Sequence, residues 1–245
     1  GEADGDHGIG MQRGSRAGAN AARSAAADGA GAGTTLAEAG DAWSDQGGGT
    51  SGVIWGRILQ TLGRSFGDDA AVDAGAVSAA VAEATVAVMG FGKAQVGDKT
   101  MIDAIVPFAD DLTRGVAAGA TLRDAWQHAA AVAEKAAQQT AQLAAKLGRA
   151  RSHGDKSIGT PDPGAVSFAL VCTTVADELA TAASESLTVY PPEGSAEMPK
   201  SLRSSASSLA SDAAPPSTMP RSRRPSDGNC LPPRSSDAMS SSPCL

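Results

Sequence analysis

Aromatic side chains make up only 3% of this 245-residue chain, whereas hydrophobic residues as a whole make up 42%. A core must therefore be assembled from Ala, Val, Leu and Ile, which fill space at protein density only where backbones approach closely. That favours closely packed helices. The length suffices for one domain of ordinary size plus an appendage.

The appendage is visible in the composition. Ten of the thirteen prolines lie from Pro191 onward, among many serines and few large apolar residues. Such a stretch cannot bury enough surface to offset its ordering entropy. Residues 1–185 are therefore read as the globular part and 186–245 as a disordered Ser/Pro-rich tail. The small basic cluster Arg221-Ser-Arg-Arg224 is read as a solvated run within that tail.

Within the globular part the apolar residues recur at helical spacing, and period-two strands are hard to find. An Ala-rich helix is expected over 11–30. Ile54, Ile58, Leu59, Leu62 and Phe66 mark another after Gly52. A third is expected from Val72 to Met89, with Val77, Val81 and Val86 inward. Thr100-Met-Ile-Asp103 and Thr121-Leu-Arg-Asp124 resemble capping boxes that open two more. Pro107 is expected to kink the first of these. The second is expected to be the longest, presenting Leu122, Trp126, Ala129, Ala133, Thr140, Leu143 and Leu147 on one face and ending at Gly148. Asp162-Pro163 reads as an N-cap followed by proline at the first helical position, starting a helix from about Gly164 to Ala183. Short links make antiparallel neighbours, so the fold class is all-α, an up-and-down bundle or barrel. Trp43, Trp55 and Trp126 are assigned to packing.

The net charge is −7, with about −8 before residue 186 and about +1 after it, which argues against non-specific nucleic-acid binding. No secretory leader is visible and no run of about 18 apolar residues is found, so no membrane span is expected. Cys172, Cys230 and Cys244 form no CxxC pair, which fits a reducing, cytoplasmic setting without structural zinc.

The chemistry is concentrated in four Gly-rich segments: Asp4-Gly-Asp-His-Gly-Ile-Gly-Met11, Gly47-Gly-Gly-Thr-Ser-Gly52, Gly97-Asp-Lys-Thr-Met101 and Gly159-Thr-Pro-Asp-Pro-Gly164. Asp4 and Asp6, read as neighbours in a loop, supply hard oxygen ligands suited to Mg²⁺, and the glycines beside them let phosphates approach the backbone. Thr50, Ser51, Thr100 and Asp162 each stand where a helix begins, and helix starts offer free N–H groups and a positive dipole end to phosphate oxygens. The combination reads as a nucleotide–magnesium site at one end of a helical domain, working by positioning and charge neutralisation. Taken singly, each segment is an ordinary turn, linker or cap. Asp103 alone would be a helix cap and Arg149 a favourable charge at a helix end. His128 and His153 are assigned no role.

In this order the motifs Asp4-Gly-Asp-His-Gly8, Gly48-Gly-Thr-Ser-Gly52, Gly92-Lys93, Gly97-Asp-Lys-Thr-Met101, Gly148-Arg-Ala150 and Asp162-Pro-Gly-Ala165 resemble the DhaL-type domain of dihydroxyacetone kinases, over about residues 1–183. The resemblance implies an antiparallel eight-helix barrel with the nucleotide at one mouth. It implies that Asp4 and Asp6 are two of three aspartates holding Mg²⁺. The third belongs five residues before Asp4, outside this sequence, as does the family's first helix, so the chain is read as truncated at its N-terminus. It further implies that His7, Gly8, Ile9 and Gly10 line the phosphates, Gly10 standing where many relatives have Asn. Thr50 and Ser51 would cradle phosphates, and Gly92 and Met101 would flank the adenine and sugar. Arg149, Asp162, Pro163 and Gly164 would close the pocket. A flexible thioether such as that of Met101 packs well on a flat ring.

The family resemblance makes the chain half an enzyme. The ligand would be ATP or ADP with Mg²⁺, and the ketose, dihydroxyacetone or an erythrulose-like sugar, would be held through a histidine on a DhaK-type partner. One family branch uses ATP; the other retains ADP and is recharged by a phosphotransferase-system phosphocarrier. The sequence form lies closer to the ATP-using kinases. A homodimer or hetero-oligomer is expected. The competing class is a non-catalytic helical regulatory module, which would not need the metal loop, and a third reading is an inactive relic. A ketose phosphorylation assay with a DhaK-type partner separates the first two, and a cooperative thermal transition argues against the third.

Overall fold

The structure, a computed structural model, describes residues 2–147 and 156–188, without the side chains of residues 2–5 and 183–188. Seven α-helices occupy them: α1 (Glu2–Ala27), α2 (Ala32–Gly47), α3 (Gly49–Phe66), α4 (Ala74–Gly92), α5 (Ile102–Ala117), α6 (Leu122–Gln139) and α7 (Pro163–Thr188). No strand is found among the described residues. Each helix packs on the next in sequence, and α7 returns to touch α5 and α1. The hydroxyl of Ser167 on α7 donates to the carbonyl of Pro163, so it accepts from His7 Nε2 on α1 at 2.8 Å. The result is an antiparallel ring of helices, as expected.

Backbone proximity comes from glycine. On α2, Gly33, Gly40 and Gly47 recur every seven residues, and on α3 Gly49, Gly56 and Gly63 do the same. A Cβ on Gly40 would lie 2.8 Å from the carbonyl oxygen of Gly56; one on Gly63 would lie 2.6 Å from that of Gly33. On α1, Gly10, Gly14 and Gly18 lie one turn apart and receive Gly47, Trp43 and Ala39 of α2. Small residues every turn or every second turn keep the contact on one stripe, so three helices lie nearly backbone to backbone.

Five of the eight aromatic residues form one connected series. Trp43 stacks on Trp55 at 5.1 Å and Trp55 on Phe168 at 6.1 Å, while Phe108 meets both Phe168 and Trp126 edge to face. The three tryptophans are packing residues, and Trp126 also donates its indole N–H to the carbonyl of Cys172. An apolar cavity of about 230 Å³ lies inside the ring, bounded by residues such as Trp55, Leu59, Phe108 and Phe168. The buried indole N–H of Trp55 has no acceptor among the described residues.

Several expectations are corrected. The segment Asp4–Met11 is the start of α1, not a loop. α2 was not anticipated, and its Gly33, Gly40 and Gly47 serve as contact points. Val86 points outward, 70% exposed, while its neighbours Thr85 and Val88 are buried. The helix opened by Thr121 stops at Gln139, passes through one 3₁₀ turn (Thr140–Gln142) and continues irregularly, so Leu143 and Leu147 are not on its face. Helices α4 and α7 are long and apolar enough to cross a membrane by length and composition, contrary to the reading that no such stretch exists. Both pack into the ring, where Val81, Val88, Phe168 and Cys172 are buried.

The caps were read better. Thr121 Oγ1 accepts from the amide of Asp124, and Asp162 Oδ1 accepts from that of Ala165, with Pro163 at the first position of α7. α5 runs through Pro107. The tail beyond residue 188, and Gly148, Arg149 and His153, lie outside the described residues.

Candidate nucleotide site

An up-and-down ring has two ends, and the chemistry falls on one. The odd-numbered helices begin there and the even-numbered ones finish there, which gathers the start of α1, the α2–α3 turn, the α4–α5 link and the segment before α7. Each Gly-rich motif lies at one of these points.

The first part of the mouth is a cavity of about 620 Å³ between α1 and the α2–α3 turn. Asp6, Ile9, Gly10 and Arg13 line it from α1, and Gln46 to Ser51 line it from the other side. The turn is made by Gly48 and Gly49 at φ +64° and +58°, a region that disfavours side chains. A Cβ on Gly48 would meet open space, so the backbone conformation is what requires glycine there. No side chain caps α3, and its first backbone bond runs from Gly52 N–H to the carbonyl of Gly48. The amides of Gly49, Thr50 and Ser51 thus lack intrahelical acceptors, and the hydroxyls of Thr50 and Ser51 stand beside them.

The start of α1 does not present the two aspartates as a loop would. Positions two apart on a helix lie about 200° round the axis and do not face each other. Asp6 borders the cavity; the Asp4 side chain lies outside the described residues. His7 and Gly8 do not line the cavity, and His7 is turned to Ser167.

The second part of the mouth is a cluster of buried charge between the α4–α5 link and the start of α7. Asp103, 6% exposed, accepts from the amides of Gly97 and Thr100. Lys99, 5% exposed and at φ +59°, donates to the carbonyls of Leu143 and Ser157. Asp162 caps α7, and its own amide donates to Thr140 Oγ1. Burial pushes its carboxyl up to about 6, partly offset by the Ala165 amide and reinforced by the charge of Asp103. Met101 is buried beneath Gly164, whose added Cβ would lie 3.4 Å from that of Met101. Gly92 is exposed at the end of α4 and Pro163 half-buried at the start of α7.

The residues of the first cavity suit a polyphosphate carried with a divalent cation. They combine open amides, two hydroxyls, a guanidinium and a carboxylate, and Mg²⁺ is commonly held by one or two carboxylates plus phosphate oxygens. No group of three or more His, Cys, Asp or Glu converges among the described residues, so a cation here would draw on Asp6, with Asp4 the remaining candidate, and on ligand oxygens. A second depression, of about 510 Å³, is lined by α6 and the 3₁₀ turn, with Glu134, Lys135 and three glutamines among its residues.

Comparison with known proteins decides the family. Residues 3–177 match the model of the DAK2 domain. The chain belongs to the DAK2 domain family. It is similar to L-erythrulose kinase of Pectobacterium atrosepticum, with 52% identity over 172 residues, covering 70% of this chain and 29% of that one. It is 49% identical over 174 residues to D-erythrulose kinase of Mycolicibacterium smegmatis, covering 71% and 30%. The ADP-binding subunit DhaL of the PEP-dependent dihydroxyacetone kinase of Escherichia coli is 43% identical over 76 residues, covering 31% of this chain and 36% of that subunit. The DAK2 chain thus spans about 30% of the length of the erythrulose kinases it matches.

Arg13, Gln46 and Lys99 escaped the sequence reading. Arg13 was legible in principle, since it follows Asp6 by seven residues and Gly10 by three and so shares their helix face. Lys99 was not, because its partners are carbonyls 44 and 58 residues away.

Proposed function

We propose that this chain is the nucleotide-binding half of a short-chain ketose kinase, using ATP with Mg²⁺ while a DhaK-type domain or subunit holds the ketose. Support comes from family membership, from the similarity to two erythrulose kinases along most of the ring, and from the name of the ADP-binding relative. The observation that carries it is the cavity of Asp6, Arg13 and the open start of α3, set at the same end of the ring as the buried Asp103–Lys99–Asp162 cluster.

When bound, Mg²⁺ supplies charge neutralisation between the phosphate oxygens. The residues' own parts follow from their chemistry. Asp6 would hold the cation from α1. The amides of Gly49 to Ser51 would take phosphate oxygens in a direction set by the Gly48–Gly49 turn. Asp103 and Lys99 fix the 97–101 segment against Leu143 and Ser157, which shapes the wall where Met101, Pro163 and Gly164 meet. No group on this chain is proposed to activate the sugar hydroxyl, and that task falls to the partner. A tetrulose such as erythrulose is the proposed acceptor class, and the cytoplasm the proposed compartment.

Calorimetric titration of ATP with and without Mg²⁺ tests the reading. Binding that requires Mg²⁺ and is lost in Asp6→Ala is expected, together with erythrulose phosphorylation once a DhaK-type partner is added. Equal ATP affinity in the parent and in Asp6→Ala would remove Asp6 from the site.

A further inference from the structure

Two residues in the lining of the nucleotide cavity, Arg13 and Gln46, belong to no motif, and Arg13 is the charged one. Arg13 lines it two turns beyond Asp6 on the same face of α1, and among the described residues it is the only positively charged one in the lining. Its guanidinium makes no hydrogen bond or ion pair among the described residues, unlike Arg23, Arg64, Arg114 and Arg123. At the rim of a cavity in a chain of net charge −7, such a guanidinium is available to an anionic ligand. Its position is also fixed. The turns on either side of it are seated on α2, because added Cβ atoms on Gly10 and Gly14 would lie 2.6 Å from the Gly47 carbonyl and 2.4 Å from the Trp43 ring. The backbone that carries Arg13 is therefore seated beside the Gly48–Gly49 turn.

We infer that Arg13 is a phosphate-binding residue of this site, engaging the phosphate groups of the nucleotide beyond the first. The inference rests on the proposed nucleotide reading. A nucleoside triphosphate brings more negative charge than one divalent cation and three backbone amides neutralise, and a planar guanidinium meets two phosphate oxygens at once. The described residues of the cavity walls supply no other cation for that task. The open α3 start and the guanidinium lie on opposite walls of the same cavity, so a phosphate chain lying between them is held from both sides.

The test is a set of calorimetric titrations of the full chain in Mg²⁺ with AMP, ADP and the non-hydrolysable triphosphate AMP-PNP, on the parent, Arg13→Gln and Arg13→Lys, with inorganic tripolyphosphate as competitor. Arg13→Gln is expected to weaken AMP-PNP and ADP by about tenfold or more while leaving AMP within about twofold. Arg13→Lys is expected to lie between, since it keeps the charge and loses the fork. Tripolyphosphate should displace AMP-PNP from the parent at lower concentration than from Arg13→Gln. Thermal melts of the three proteins should coincide, because Arg13 is exposed and without partners. Equal weakening of all three nucleotides, or none, with normal binding by the parent would overturn the role of Arg13 and leave the nucleotide reading standing. A parent that binds none of the three would overturn both.

Discussion

Asp162 does two things that pull against each other. As an N-cap it accepts the Ala165 amide, which favours the carboxylate; as a buried group beside Asp103 it is driven toward its neutral form, and burial prevails. Its folded value of about 6 lies above the ordinary 3.8. The native state therefore keeps the proton longer than the unfolded chain, so this group's contribution to stability falls as pH rises from about 4 to about 6 and is level above that. Asn caps as well as Asp and carries no charge. Asp162→Asn should abolish that slope and raise stability at pH 7.5 by at most about 3 kcal/mol, measurable by chemical denaturation between pH 4 and 8. An unchanged pH profile would mean that the carboxylate is better solvated than its burial indicates. Lys99 completes the picture: a buried ammonium held by two carbonyls acts on the half-buried Asp162 carboxylate against the charge of Asp103, and only folding assembles the three. The Asp162-Pro163 pair was readable because caps act within one turn; the charge balance around it was not, because Lys99 and Asp103 belong to a segment far away along the chain.

At the level of the element, the start of α1 is the place where local and tertiary preferences disagree. Gly5, Gly8 and Gly10 make these turns a poor helix, each costing roughly 1 kcal/mol relative to Ala. That is why the stretch read as a loop. Packing overrides the preference at Gly10, where only a hydrogen fits against the Gly47 carbonyl, but not at Gly8, where an added Cβ meets nothing within 4 Å. Gly8→Ala should therefore stabilise α1 by about 0.5–1 kcal/mol. If cation binding needs Asp4 and Asp6 on the same side, these turns must unwind to provide it, and the same substitution should weaken Mg²⁺-dependent ATP binding. Stabilisation without any loss of affinity would show that the helical form is the binding form. Amide exchange at residues 6–10, with and without nucleotide, reports the same transition directly.

For the molecule as a whole, the seam between α2 and α3 holds the ring in register. A methyl group on Gly56 would fall 1.8 Å from Ser44 Oγ and 2.6 Å from the Gly40 carbonyl, and the second of these cannot swing away. Gly56→Ala should cost about 2–3 kcal/mol through separation of the two helices. Gly90→Ala, in open space near the end of α4, should be neutral or mildly stabilising. Thermal melts of the pair make the comparison; similar losses at both positions would mean that helix propensity rather than close packing governs these glycines. The scarcity of aromatic residues announced closely packed helices correctly, whereas the even-to-odd links that carry the motifs share one mouth only once α2 is counted. What stayed hidden was which glycines were turns and which were contacts, since both look alike until the partner helix is known.

The glycine seam also says something about how such a chain can vary over time. Every single-base change that alters a glycine codon without ending translation installs a larger side chain, so there is no smaller step to take at Gly33, Gly40, Gly56 or Gly63. Most surface positions of the ring can drift by degrees; these can change only if the facing backbone moves in the same event. Two helices joined this way are inherited as one part.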